Sequence, residues 1–130
     1  MLIVVDTNIL VNAIKSTNVG AKSALLVEDI LNGNYQMCIS SAIMSEYEDV
    51  LHRQLLQLDR RLVDWLLAWI RLNAVWIEPN PSDTTRFSMR DEDDRIFFDV
   101  ARCLNAKLVT RNYKDYPVHE LITLIDELYP

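Results

Sequence analysis

Leu2-Ile3-Val4-Val5-Asp6-Thr7-Asn8 is the stretch from which the fold is read. Four aliphatic residues in a row, three of them β-branched, leave no polar side to face water. This is the pattern of a strand covered on both faces, as in a parallel sheet with helices on either side. The run stops abruptly at a polar turn that begins with Asp6. A buried strand that ends in a carboxylate delivers that acid to the carboxyl edge of the sheet, where open α/β folds bind their ligands.

Outward from this strand, helical and extended patterns alternate. Residues 21–32 (AKSALLVEDILN) place Ala24, Leu25, Val27, Ile30 and Leu31 near one broad helical face, with Gly33-Asn34 as the stop. Residues 35–40 (YQMCIS) predict a second strand, and Ser40 and Ser41 are N-caps for a helix through residues 42–58 that carries Glu46. Asp59 caps a further helix over residues 60–73, in which Leu62, Trp65, Leu66 and Trp69 fall on one face, either core or partner surface. AVWIE (74–78) is a third strand, and residues 79–90, with two prolines and several Ser and Thr, form the longest loop. Asp91-Glu92-Asp93-Asp94 opens a helix with Ile96, Phe97, Val100, Ala101 and Leu104 as its apolar face. AKLVT (106–110) is a strand, residues 111–117 a polar turn, and residues 118–128 (VHELITLIDEL) a short helix. The alternation predicts an α/β sandwich with a mostly parallel sheet.

The 130 residues, half apolar and a quarter charged, with only two glycines and four prolines, fit one domain over residues 1–130 without linker or repeat. The apolar opening is interrupted by Asp6, follows no basic residue and is too short to span a bilayer, so a cytoplasmic protein without membrane contact is expected. Cys38 and Cys103 have no second Cys or His at metal spacing, which excludes a zinc site and predicts two reduced, buried thiols. A net charge of −6 and a pI near 4.8 exclude a broad basic surface for nucleic acid. Acids converging on bound divalent cations would reverse the local field.

Such convergence is legible. Asp6-Thr7-Asn8 and Arg111-Asn112-Tyr113-Lys114-Asp115 both follow strands and so share the carboxyl edge, while Glu46 and Asp94 lie near the starts of their helices. Carboxylates brought together repel unless a cation neutralises them, and Mg²⁺ suits oxygen ligands with several waters retained. Arg95, Arg111 and Lys114 are the nearby groups able to attract a phosphate. Each acid also has a plainer reading: Asp6, Asp91 and Asp94 as helix caps, Glu46 as a solvated helix residue, Asp115 as a turn former. The set carries more weight than its members.

The segments VVDTNILVNAI, ISSAIMSEYEDVL and DEDDRIFFDVARCLNAKLVTRNYKDYP resemble PIN (PilT N-terminal) domain proteins, and in particular the VapC-like toxins of toxin–antitoxin systems. The resemblance spans nearly the whole chain. It implies a three-layer α/β/α fold with a central parallel sheet, dependence on Mg²⁺ or Mn²⁺, endonucleolytic cleavage of RNA, a homodimer and an inhibiting antitoxin protein. It places the invariant acids on Asp6, Glu46 and Asp94, the last because it opens the late helix ahead of Ile96, Phe97 and Ala101. Many family members read Thr-Gly-Asp after the last strand, whereas this chain reads Thr110-Arg111-Asn112, so the fourth ligand is either Asp115 or, through a metal-bound water, Asn112. Thr7, Asn8 and Thr110 are accessory residues of the same turns. A phosphatase of the haloacid dehalogenase type also ends its first strand in Asp but requires a second acid where Asn8 stands. A catalytically idle PIN domain serving as a binding module is the remaining alternative.

Overall fold

The computed structural model describes residues 1–16 and 21–130. Its strands are β1 (Leu2–Val5), β2 (Gln36–Ile39), β3 (Val75–Trp76), β4 (Lys107–Thr110) and β5 (Ile122–Leu124), joined in one five-stranded sheet of order β3-β2-β1-β4-β5. Every pairing is parallel: Ile3 sits opposite Met37, Val5 opposite Val109, Cys38 opposite Val75, and Val109 opposite Thr123. The strand order reverses direction at β1, so the crevice between the carboxyl ends of β1 and β4 is the switch point of the sheet. Ile3, Val4 and Val5 are completely buried, as a two-sided strand requires.

The helices flanking the sheet are α1 (Thr7–Lys15), α2 (Lys22–Leu31), α3 (Ser41–Leu51), α4 (Arg60–Asn73), α5 (Arg95–Leu104) and the one-turn α6 (Ile125–Leu128). α5 lies against β1, β2 and β4 and carries α3, which in turn carries α4, while α2 packs between α1 and α6. Gly33, at φ +82°, turns the chain out of α2. The Ser40 hydroxyl caps α3 by accepting from Ile43 N–H, and the Asp59 carboxylate caps α4. No described helix is long and apolar enough to cross a membrane.

Several local expectations are corrected. α3 stops at Leu51, because beyond it Leu55 is fully exposed and the chain has no apolar face with which to continue; a 3-10 turn (Gln54–Leu56) follows. Ser41 is not a cap, since its hydroxyl and N–H both donate to Glu78. In α4 the buried stripe is Val63, Leu66, Leu67 and Ile70, which has the expected spacing but begins one residue later. Leu62 and Trp65 are left exposed. In α2 the buried residues are Ser23, Leu26 and Ile30, with Ala24 and Leu25 only half-buried. Residues 118–128 are not one helix: Ile122-Thr123-Leu124 pairs with β4 before the chain makes the single turn of α6. Cys38 is buried, but Cys103 is exposed.

Candidate active site

Asp6 is fixed first by its backbone, because its N–H donates to Val109 O and so extends the β1–β4 pairing one residue past the strand (3.1 Å). Its side chain is 7% exposed. Although it stands at the N-cap position of α1, it makes no side-chain cap hydrogen bond. Instead one oxygen, Oδ2, accepts from both Thr110 Oγ1 (3.0 Å) and Tyr116 OH (3.1 Å). Burial pushes the Asp6 carboxyl up, the two hydroxyl donors hold it down, and Asp115 pushes it up again.

Asp94 closes a 3-10 turn (Glu92–Asp94) at the head of α5 and likewise makes no side-chain cap. Its carboxyl is pushed up to about 7, first by burial and then by the charges of Asp6, Asp91, Asp115 and Glu46. Glu46, half-buried on α3, is raised by burial and by Asp49, Asp93 and Asp6, against the opposing pull of Arg53. The next residue of α3, Tyr47, is fully buried and donates its hydroxyl to Val5 O, which pins this part of α3 to the end of β1. Asp6, Glu46, Asp94 and Asp115 therefore share one electrostatic neighbourhood at the switch point. Asp91 differs, because its side chain accepts from Asp93 N–H and is a true cap.

The remaining candidates divide by what they touch. Thr110 Oγ1 links Asn112 N–H (3.2 Å) to Asp6. The Asn112 amide caps the 3-10 turn Tyr113–Asp115, accepting from Lys114 N–H (3.1 Å) and donating to Asp115 (3.4 Å). Thr7 is buried, with a hydroxyl that lacks a hydrogen-bond partner among the described residues, and Asn8 is exposed. Arg111 and Lys114 are exposed in the turn after β4. Arg95 is placed otherwise than expected: it donates to Thr84 O (2.6 Å), Phe87 O (2.7 Å) and both oxygens of Glu92 (2.6 and 2.9 Å), which commits its guanidinium to the fold. Tyr116 and Tyr47 were not anticipated from the sequence. The Tyr-Lys-Asp-Tyr spacing of residues 113–116 held a signal for Tyr116, since an apolar-bodied residue closing a polar turn is a natural one to fold back onto a buried strand end.

Among the described residues no three His, Cys, Asp or Glu side chains are close enough to cage a metal by themselves. The donors near Asp6 are carboxylate, amide and hydroxyl oxygens without thiolate or imidazole, a hard set that suits Mg²⁺ or Mn²⁺. Mg²⁺ keeps several of its waters, so spaced carboxylates fit it better than a closed cage. The raised Asp94 carboxyl marks the region as short of positive charge, and the buried hydroxyl of Thr7, next to Asp6 in the chain, lacks a hydrogen-bond partner among the described residues.

The fold is similar to that in the crystal structure of VapBC2 from Rickettsia felis bound to a DNA fragment from their promoter. The TM-score is 0.58 at 19% identity, covering 95% of this chain and 97% of that chain, a likeness of fold. No curated protein matches the sequence. The sequence itself matches the PIN domain over residues 2–114, a span that contains β1, the crevice, Asp6, Glu46 and Asp94 and ends one residue short of Asp115. With that match added to a parallel sheet whose switch point gathers Asp6, Glu46 and Asp94, the chain belongs to the PIN domain family.

Proposed function

We propose that this PIN domain is a metal-dependent endoribonuclease that hydrolyses RNA phosphodiester bonds, and that it is the toxin of a toxin–antitoxin pair. The observation that carries the reading is the buried Asp6 carboxylate at the switch point, held by Thr110 and Tyr116, with Asp94, Glu46 and Asp115 near enough for the acids to repel one another. A fold gains nothing from such repulsion, which suits a site that takes up cations. Asp6, Glu46 and Asp94, with Asp115, would hold Mg²⁺ or Mn²⁺. When bound, such ions supply an activated water and neutralise charge on the leaving oxygen of a phosphodiester.

The chain's own residues prepare that chemistry. Thr110 and Tyr116 hold Oδ2 of Asp6 and so turn its other oxygen to a fixed direction. Tyr47 anchors the part of α3 that presents Glu46. Asp94, whose carboxyl burial and the neighbouring acids push up, would be held in its charged form by a bound cation. Arg111 and Lys114 attract the substrate phosphate from the turn after β4, while Arg95 shapes the loop beside Asp94. The fold likeness to VapBC2 supports an antitoxin partner, and a homodimer is part of the same toxin reading. The exposed Leu62 (44%), Trp65 (53%) and Leu72 (84%) of α4 are the apolar surface available for such contacts.

One observation favours the idle binding module: the Asn112 carbonyl, an alternative fourth ligand, is already engaged by Lys114 N–H. Incubation of the purified protein with single-stranded RNA separates the two readings. Cleavage in Mg²⁺ or Mn²⁺, its arrest by EDTA, and its near-complete loss in Asp94→Asn with the fold retained are expected. Cleavage that persists in excess EDTA would overturn the metal-dependent mechanism, and tight RNA binding without any cleavage would favour the module.

A further inference from the structure

Two surface features lie at the carboxyl edge, one of them including Glu46, and they are opposite in charge. On the α3–α5 side a shallow trough is lined by Glu46, Asp49, Glu92 and Asp93 and by no cation. On the other side a cleft of about 390 Å³ is lined by Lys15, Lys22 and Arg111, with Asn12 and Ser23 as neutral polar groups and Asp126 as its one carboxylate. Arg111 directly follows β4, and Asp126 stands two residues past β5, so the cleft opens on the same sheet edge as Asp6. Thr110, which bonds Asp6, is the neighbour of Arg111.

Resting on the ribonuclease reading, we propose that the cleft formed by Lys15, Lys22 and Arg111 binds a backbone phosphate of the RNA next to the cleavage site. The strand therefore extends from the acids toward the α1–α2 side of the sheet edge. Elsewhere on this acidic chain Arg53 pairs with Asp49, Arg60 with Asp64, Arg71 with Glu48 and Arg95 with Glu92. Among the described residues Lys15 and Arg111 form no salt bridge, and only Lys22 is paired, with Asp126 (2.8 Å). α2 also begins with Lys22 and has no acid in its first turn, where a carboxylate would have been favoured by the helix dipole. The cleft thus places unpaired positive charge in a concavity on the sheet edge that carries Asp6. The cleft has room for about one nucleotide, the smaller end of ligand pockets at roughly 300 Å³ and above.

The test measures cleavage of a labelled single-stranded RNA in Mn²⁺ over a range of KCl, together with binding of the same RNA in EDTA by fluorescence anisotropy. Lys15→Ala/Arg111→Ala is expected to raise KM about tenfold with kcat nearly unchanged, and to make the salt slope shallower by roughly 0.7 for each phosphate left without its cation. Asp126→Asn, which frees Lys22, acts in the opposite direction and lowers KM. Lys107→Ala, at the opposite end of β4, leaves KM and slope as they were. An unchanged KM and slope in the double variant, or an equal effect from Lys107→Ala, overturns the cleft as a phosphate site. If the parent does not cleave at all, the ribonuclease reading fails separately. The anisotropy series then decides the cleft on its own: weaker binding in the double variant supports it and equal binding overturns it.

Discussion

Two hydroxyls, those of Thr110 and Tyr116, converge on a single oxygen of Asp6, and they do different work from the acids around them. Each keeps the carboxylate in one rotamer and offsets part of its burial. Tyr116→Phe removes one donor without changing shape. It is expected to cost about 1 kcal/mol in urea denaturation and to weaken Mn²⁺ binding several-fold by calorimetry. A stability loss with unchanged Mn²⁺ affinity would show that Tyr116 acts only in the core. Asp6 and Asp94 were legible in the sequence because each opens a helix after an apolar or acidic run. Tyr116 was not, because its place at the close of a polar turn shows only that it can fold back, and its partner lies 110 positions away. Arg95 misled for a related reason. Its charge and its place beside Asp94 suggested phosphate, but nothing in the sequence shows that Thr84 O and Phe87 O lie within its reach.

Arg95 belongs equally to its element, since its planar fork ties the head of α5 to the loop around residues 84–87. Lysine cannot reproduce that fork. Arg95→Lys is therefore expected to destabilise the fold by about 2 kcal/mol in a denaturant titration, from the removal of charge-assisted hydrogen bonds to carbonyls. A change in RNA KM with no change in stability would restore it to the substrate. At this scale β1, β2, β4, α4 and α5 followed from periodicity and caps, because runs of one type were long enough to speak for themselves. The buried stripe of α4 could not be told from its neighbour, since Leu62-Trp65-Leu66-Trp69 and Val63-Leu66-Leu67-Ile70 obey the same kind of spacing. Only the surface already occupied by α3 decides which is covered. β5 was hidden for another reason: three residues of strand joined to one turn of helix mimic a single short amphipathic segment.

Over the whole molecule, the raised carboxyls set the pH dependence. Asp94, Asp6, Glu46 and Asp99 all have native values above the usual carboxylate range. Between that range and about 7 the native state binds more protons than the unfolded chain, so stability falls as pH rises through the window. Asp29, Glu78 and Glu92 are lowered by hydrogen bonds and act in the opposite sense, their contribution fading as pH falls, but Glu78 and Glu92 are well exposed and weigh little. In metal-free buffer Tm is expected to decline from about pH 5 to about pH 8, Asp94→Asn to flatten the decline, and Mn²⁺ to raise the parent's Tm more than the variant's at the alkaline end. A parent Tm that rises over this interval would place the charges elsewhere. The central position of β1 has a consequence in time as well as in space. β1 is made before β4 and must wait for it, and the Thr110 hydroxyl, one of the two that fix Asp6, is translated 104 residues after it. Until β4 has emerged from the ribosome, one side of β1 is an open edge, Asp6 has no partner, and the crevice has only one wall. A nascent or prematurely terminated chain therefore lacks the assembled crevice, and whatever chemistry the crevice performs belongs to copies whose synthesis has passed β4.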